Sequence, residues 1–379
     1  MKKSVCWLMI AIFACTFFSG KAQSKTLKTN MFLSEKPFGT TAANEPVTLY
    51  ILKNTQGMEV HIMNYGAIIT KIIVPDRNEV MEDVVLGFEN VADYIKDSPY
   101  FGAVVGRYGN RIAAGKFNLD GKNYTLAAQN NGQHLHGGLK GFDKKVWKTV
   151  AKKDGSLTLS YLSADGEEGF PGNLEIQVTY SLSEDNALAM DYVAKTDQAT
   201  VLNVCNHSYF NLSGNGKRDV LNHTIQLNAP NFIPVDKVLI PTGEIKSVKG
   251  GPFDFTAAKK IGLDINASDE QIAFGGGYDH CYAFDKAPGA FGKIAHVEDP
   301  ESGRIMQVFT TEPGVQFYTG NNLDGHLVGK YGAKYTKRSG FCLETQHYPD
   351  SPNKPHFPST VLRPGETYTS KTVYQFSVQ

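Results

Sequence analysis

The sequence predicts an all-β protein, built as one large antiparallel β-sandwich with a few short helices. Apolar and polar residues alternate along several segments, which is typical of strands with one buried face. The 379 residues include 37 Gly, 17 Pro, 18 Tyr and 22 Phe, a composition that favours turns and strands over a helical bundle. No fixed repeat, heptad or low-complexity tract interrupts the chain, and no clear linker follows residue 38. These three observations together favour a single large β domain.

Each predicted element rests on a local pattern. The clearest strand is 174–182, where Leu, Ile, Val, Tyr and Leu alternate with polar residues, and 157–161 repeats this alternation just before it. Residues 117–124 form a predicted hairpin in which Asp120-Gly121 is a type I′ turn. The remaining predicted strands are 59–63, 67–74, 188–194, 224–227 and 304–310. Short helices are predicted near 91–96 and 256–261.

The first 22 residues have the pattern of a secretory signal peptide. Two lysines precede an apolar run over 5–18, and the small residues Gly20 and Ala22 fill the −3 and −1 positions before a cleavage site at Gln23. We therefore expect an exported, periplasmic protein that is not membrane-bound after cleavage. The predicted organisation is a signal peptide over 1–22, an N-terminal extension over 23–37 and one catalytic domain over 38–379.

Two other readings of the N-terminal segment stay open. A retained membrane anchor would need about 20 apolar residues, and this run is shorter. Lipidation at Cys15 would make the product a lipoprotein, although the bulky Phe13 suits such a site poorly.

Charge and cysteine content exclude several classes of protein. Lys+Arg and Asp+Glu are both 38, so the neutral chain has no bulk field that would attract nucleic acid or an anionic membrane. Beyond the leader only Cys205, Cys281 and Cys342 remain, and their wide spacing fits neither a disulfide framework nor a paired metal motif. We expect these three residues to be buried free thiols.

Side chains suited to proton transfer and hydrogen bonding concentrate in a few short segments. Individually, each of these segments is compatible with a structural histidine, a turn or a capping carboxylate. Together with apolar neighbours they form eight motifs, at 64–67, 85–88, 106–112, 135–138, 206–212, 277–280, 314–321 and 344–353. In this order they resemble the motifs of the aldose 1-epimerases, or galactose mutarotases, from about residue 38 to the C-terminus.

The resemblance implies a galactose mutarotase-like supersandwich whose groove holds one monosaccharide. It implies that His207 is the general acid and Glu344 the general base. The positions that match sugar-binding residues, with two neighbours of the acid that contribute contacts, are Asn110, Arg111, His136, Asp279, Gln316, Ser208 and Tyr209. His134 and His280 are adjacent to these positions, but the motifs centre on His136 and Asp279.

The implied activity interconverts the α and β anomers of free aldohexoses such as galactose and glucose, in hexose metabolism. The reaction removes the C1 hydroxyl proton and protonates the ring oxygen, so a carboxylate and an imidazolium suffice. Mutual attraction favours an ionised Glu344 beside a protonated His207 in the free protein. No cofactor is required and no metal site is assigned, although a bound Ca²⁺ stays open. The expected partner is a free monosaccharide and the expected state a monomer, with a dimer as the alternative.

Four other kinds of protein or site fit the sequence less well than an aldose 1-epimerase. A non-catalytic carbohydrate-binding module should lack His207 or Glu344, and both are present. A glycoside hydrolase or lyase calls for two carboxylates that flank the bond. A phosphosugar epimerase needs extra cations, and the motifs offer mainly Arg107 and Arg111. A metal bound by His134 and His136 lacks an evident third ligand.

Overall fold

The structure is a computed structural model, and it describes residues 31–379 together with the isolated Met1. The apolar leader and its cleavage site before Gln23 lie outside these described residues. Within the described part of the chain, no helix is both long and apolar enough to cross a membrane.

Residues 31–379 are dominated by β-strands. In chain order they are β1 Phe32–Thr40, β2 Pro46–Lys53, β3 Glu59–Met63, β4 Ile68–Pro75, β5 Met81–Asp83, β6 Val104–Val105, β7 Arg111–Ile112, β8 Lys116–Leu119, β9 Lys122–Thr125, β10 His134–Leu135, β11 Lys148–Lys153, β12 Ser156–Ser163, β13 Leu174–Leu182, β14 Ala187–Thr196, β15 Thr200–Val201, β16 Cys205–Asn206, β17 Thr224–Leu227, β18 Asn231–Ile233, β19 Lys246–Ser247, β20 Lys259–Lys260, β21 Asp279–Ala283, β22 Gly292–Glu298, β23 Arg304–Thr310, β24 Gly314–Tyr318, β25 Cys342–Gln346, β26 Val361–Leu362 and β27 Tyr368–Val378. The α-helices are α1 Val91–Lys96 and α2 Glu270–Gly275.

Three antiparallel sheets form the body of the molecule. The largest has nine strands in the order β11-β12-β13-β14-β27-β23-β22-β17-β20. A five-stranded sheet contains β1 to β5 in chain order, and a second one has the order β19-β18-β21-β24-β25. The predicted all-β antiparallel sandwich is therefore confirmed. The expected domain boundary at residue 38 falls inside β1, whose residues 32–37 pair with β2.

One apolar core joins the three sheets because each contributes its apolar face. Alternate residues of β13 and β14 are buried, such as Ile176 and Met190, as the sequence alternation predicts. The second five-stranded sheet adds Val315, Phe317 and Leu343 to the same core. The opposite face of that sheet is thereby left for polar side chains.

Most of the local predictions are confirmed. Strands β3, β17 and β23 and helix α1 have the predicted bounds, and the hairpin of β8 and β9 turns through Asp120 and Gly121, both at positive φ. The helix predicted over 256–261 is wrong, because this segment contains β20 at the edge of the large sheet. The second helix begins further along instead, where the Asp269 side chain accepts hydrogen bonds from the amides of residues 271 and 272.

Candidate active site

One wall of the candidate site is the polar face of the sheet that contains β21, β24 and β25. Glu344 pairs directly with Gln316, and Asp279 lies diagonally from it opposite Tyr318. Residues paired across antiparallel strands point to the same face, so these side chains share a surface. Their neighbours in sequence, such as Phe317, point into the core. Strand register therefore gathers the acidic groups of the site.

The facing wall consists of loops that hold Asn110, His136 and His207. His207 directly follows β16, whose strand partner is β6. The Asn110 amide donates to Nδ1 of His136 at 3.1 Å, and the His136 amide donates to the Asn110 carbonyl at 3.1 Å. Asn110 and His136 both have left-handed backbones, with φ of 63° and 50°. Non-glycine residues hold this conformation only where their surroundings fix it, so the loop is a rigid part of the site.

Between these walls lies a cavity of about 210 Å³. It has room for roughly seven waters at about 30 Å³ each, the scale of one sugar ring with its hydroxyls. Seven residues expected from the sequence line it: Asn110, Arg111, His136, His207, Tyr209, Asp279 and Glu344. Gln316 and Ser208 are buried behind the wall rather than in it.

His207 and Glu344 meet at the base of this cavity. Nε2 of His207 lies 3.5 Å from Oε1 of Glu344, and both side chains are 5% exposed or less. The ring of Tyr209 stacks on that of His207 with centroids 5.1 Å apart. A buried thiol lies behind each group: Sγ of Cys342 is 3.6 Å from Nδ1 of His207, and Sγ of Cys205 is 3.7 Å from Oε2 of Glu344.

Burial sets the protonation of this pair. It lowers the pKa of His207 to about 4, and burial together with the nearby charge of Asp279 raises the pKa of Glu344 to about 8. Desolvation acts against both charged forms of the expected pair, a protonated His207 and an ionised Glu344, while their mutual attraction favours that pair. Burial alone favours a neutral imidazole beside a protonated carboxyl, which carries the same number of protons.

Hydrogen bonds fix the orientation of other polar residues of the site. Gln316 donates from Nε2 to Oδ1 of Asp279 at 2.7 Å, which orients that carboxyl toward the cavity. Nδ1 of His136 accepts an amide hydrogen, so its neutral ring carries the proton on Nε2. Burial and the neighbouring His207 hold the pKa of His136 well below its ordinary value. Nε of Arg111 is buried without a hydrogen-bond partner in the described structure. The site thus offers donors and an acceptor to a hydroxylated ligand.

Besides Gln316, four residues singled out from the sequence do not line the cavity. Nδ1–H of His134 donates to the Ala127 carbonyl at 2.9 Å, and the ring is buried against Phe170. His280 points to the core face of β21, where it packs on Phe253. Arg107 donates to backbone carbonyls, including that of Pro171 at 2.7 Å. The fourth residue, Ser208, is 1% exposed, and its hydroxyl has no hydrogen-bond partner among the described residues.

Several residues of the wall were not expected from the sequence. Tyr100 lies with its ring centroid 4.6 Å from that of His136 and 5.7 Å from that of His207. Tyr318 contacts Tyr209 edge-on at 5.9 Å, and its place two residues after Gln316 on β24 was a usable signal. No pattern marked Tyr100. The other missed residues are Pro99, Asn130, Leu135 and Asn322.

The fit of a metal ion can be tested on this geometry. Ligand-type atoms of His136, His207 and Glu344 lie within 4.8 Å of one another. However, the amide of Asn110 occupies Nδ1 of His136, so Nε2 carries a proton and has no lone pair for a metal. Ca²⁺ takes six to eight oxygen ligands, and this cluster supplies one carboxylate. These residues do not fit a metal centre.

The sequence is similar to those of known proteins over most of its length. Residues 48–375 match the family model described as aldose 1-epimerase. The galactose mutarotase of Bos taurus is 48% identical over 321 residues, which cover 85% of this chain and 92% of the relative. The aldose 1-epimerase of Escherichia coli K12 is 39% identical over 88% of this chain and 96% of its own.

Solved structures agree with the sequence comparison. The galactose 1-epimerase of Lactobacillus acidophilus superposes with a TM-score of 0.81 at 25% identity, covering 92% of this chain and 99% of the other. An aldose epimerase homologue from C. elegans gives a TM-score of 0.79 at 30% identity over 91% and 99% of the two chains. With the family model matching most of its length, the chain belongs to the aldose 1-epimerase family.

Proposed function

We propose that this protein is an aldose 1-epimerase that interconverts the α and β anomers of free aldohexoses such as galactose and glucose. The observation that carries the proposal is the buried pair of His207 and Glu344, with Nε2 and Oε1 3.5 Å apart in a sugar-sized cavity. The C1 hydroxyl oxygen and the ring oxygen of an aldose are both bonded to C1. Glu344 can therefore contact the C1 hydroxyl while His207 contacts the ring oxygen.

In the proposed ring opening, Glu344 is the base and His207 the acid. Glu344 takes the proton of the C1 hydroxyl while His207 protonates the ring oxygen, so the C1–O5 bond breaks and an aldehyde forms. Rotation about C1–C2 presents the other face of the aldehyde. Closure reverses both proton transfers, because the reverse reaction uses the same groups with exchanged roles. Each positioned group supplies about 10²–10⁴-fold in rate.

The protonation states of the pair fit this cycle. Ring opening starts from imidazolium and carboxylate, and it ends with a neutral imidazole and a protonated carboxyl. The latter is the form that burial favours in the free site. It is the form needed to close the ring, since Glu344 then protonates the aldehyde oxygen while His207 takes the O5 proton. The pair returns to its starting state without help from solvent.

The remaining wall residues bind and orient the sugar. His136 donates from Nε2–H, Arg111 donates charge-assisted hydrogen bonds, and Asp279, held by Gln316, accepts from hydroxyls. Tyr100 and the other cavity tyrosines cover apolar C–H faces of the ring.

A free rather than phosphorylated sugar is the better match. Arg111 is the permanent cation among the described residues that line the cavity. Arg107, which could have been a second, uses its guanidinium on carbonyls of residues 171 and 172. A phosphoryl group would be left with too few donors.

Polarimetry tests the proposed activity. Freshly dissolved α-D-galactose or α-D-glucose should reach its equilibrium rotation faster with the purified protein than in buffer alone. No acceleration for either sugar would overturn the proposal. A nitrophenyl galactoside serves as control, because a hydrolase would release nitrophenol and this site should not.

We also propose that the protein is exported and cleaved near Ala22-Gln23, on the basis of the N-terminal sequence pattern alone. N-terminal sequencing of the protein purified from its native cells should find a start at or near Gln23. A mature chain that begins at Met1 would contradict this.

A further inference from the structure

The three cysteines of the described chain are all buried around the candidate site. Cys205 and Cys342 lie behind Glu344 and His207, as described above. Cys281 lies two residues after Asp279 on β21, on the same face of the sheet, and its Sγ is 3.9 Å from the Tyr282 carbonyl. None forms a disulfide. Two of these thiols, those of Cys205 and Cys342, therefore contact the proposed base and acid.

We propose that Cys205 is a positioning residue for Glu344, a role that rests on the proposed function. Its thiol is a weak hydrogen-bond donor to the carboxyl, so Glu344 keeps its strength as a base. The Cys205 thiol acts through the carboxyl and does not touch the sugar. A general base works best when its affinity for the proton is matched to the operating pH. A strong donor against the carboxylate would reduce that affinity.

The contacts of Glu344 support this interpretation. Its Oε2 has the Cys205 thiol as a donor at 3.7 Å, and its Oε1 faces Nε2 of His207. Buried carboxylates usually accept stronger N–H or O–H bonds, and each such bond favours the charged form. A thiol is a weak donor with a long contact distance.

The same thiol is also divided between two acceptors. Sγ of Cys205 lies 3.8 Å from Oε1 of Gln346, which is two residues along β25 from Glu344 on the same face. One S–H proton can serve only one of these oxygens at a time. The thiol therefore stabilises the ionised form of Glu344 even less on average. A hydroxyl at this position, although similar in size, would lower the proton affinity of the carboxyl much more.

Several other titratable groups lie near Glu344 and stay constant when Cys205 is substituted. The titratable and charged groups that face it from the packed elements are Asp279, Cys281, Arg111, His207, Tyr209, Tyr318, Cys342 and Tyr374. Substitutions at Cys205 leave all of them in place.

The test measures proton binding by Glu344 in Cys205→Ser and Cys205→Ala. Infrared difference spectra against the matching Glu344→Gln background follow this one carboxyl over pH without substrate. The serine hydroxyl should lower the midpoint by about one pH unit, since a hydrogen bond to a charged group outweighs a thiol contact. Alanine removes the donor and should raise the midpoint. Should serine fail to fold, the alanine arm must still show its upward shift.

Cys281→Ser is the matched control, since it is a buried thiol on the same face without a hydrogen bond to Glu344. Its midpoint should equal that of the wild type. Midpoints that stay unchanged in both Cys205 variants would overturn the inference. So would midpoints that shift in the same direction in both variants and in proportion to a lowered Tm. Because the spectra need no turnover, this result is distinct from a failure of the proposed function, which polarimetry alone decides.

Discussion

The pH dependence of kcat/KM should show a plateau between about pH 4 and about pH 8, because His207 and Glu344 together share one transferable proton over that range. Below about pH 4, His207 gains a proton while Glu344 keeps its own, so no base remains. Above about pH 8 both groups have lost the proton, so no acid remains. Outside the plateau the rate should fall about tenfold per pH unit.

The size of the effect follows from the distance between the two groups. Moving the proton from Glu344 to His207 works against about four pKa units, or roughly 5 kcal/mol. Opposite charges 3.5 Å apart attract by about 5 kcal/mol at an effective dielectric constant near 20. The two contributions nearly cancel. Both distributions of the proton are therefore populated, and the form required for ring opening is available at neutral pH.

Initial rates of α-D-galactose mutarotation measure this profile by polarimetry, with the spontaneous rate subtracted at every pH. Circular dichroism at each pH separates loss of fold from loss of activity. A limb centred near pH 6.5, the ordinary pKa of histidine, would show that burial does not lower the pKa of His207.

Three substitutions test the rest of the site. Asp279→Asn should raise KM and move the upper limb of the pH profile to lower pH, since the negative charge that raises the pKa of Glu344 is removed; an unchanged limb in kcat/KM measurements would contradict this. Arg111→Ala should raise KM at least tenfold, given that charge-assisted hydrogen bonds are worth about 1.5–3 kcal/mol; a KM equal to that of the wild type would show that its guanidinium does not touch the sugar. Gly137→Ala should lower both Tm and activity, because a Cβ there would lie 1.7 Å from the Gly106 carbonyl oxygen at a φ of +88°; an unaltered melting curve would show that the loop beside the cavity adapts.

The sheets were predictable because their information is local. The alternation in 174–182 identifies a half-buried strand, and Asp120-Gly121 encodes the turn of the hairpin of β8 and β9 in two residues. Helix α2 was missed because its six residues are too few to show an apolar period. Its start depends instead on the cap at Asp269. Within 203–212 the structure has one strand, Cys205–Asn206, while Asn203 and Phe210 form isolated bridges, so no local alternation marks this segment.

Most residues of the site could be found from motifs, but their environments could not. Seven expected residues line the cavity, whereas Ser208 and Gln316 lie behind it. Sequence does not reveal the degree of burial, and burial acts against the expected charges of His207 and Glu344. Tyr100 was missed because its contact with two histidines depends on the path of a loop.

Glu344 and His207 are proposed to carry out the proton transfers, and kcat/KM of folded Glu344→Gln measures what the carboxylate contributes. Glutamine keeps the size of the side chain but cannot accept the C1 hydroxyl proton. The matched control is Glu312→Gln, because Glu312 is an equally buried carboxylate paired with Nδ1 of His347 at 2.6 Å, outside the cavity.

Glu344→Gln should reduce kcat/KM by about 10²–10⁴-fold with the cooperative fold retained. His207→Asn should do the same, and the double variant should lose less than the product of the two losses, because both groups act in one step. Glu312→Gln should stay near the wild-type rate. A folded Glu344→Gln protein that equilibrates α-D-galactose as fast as the wild type would contradict the account.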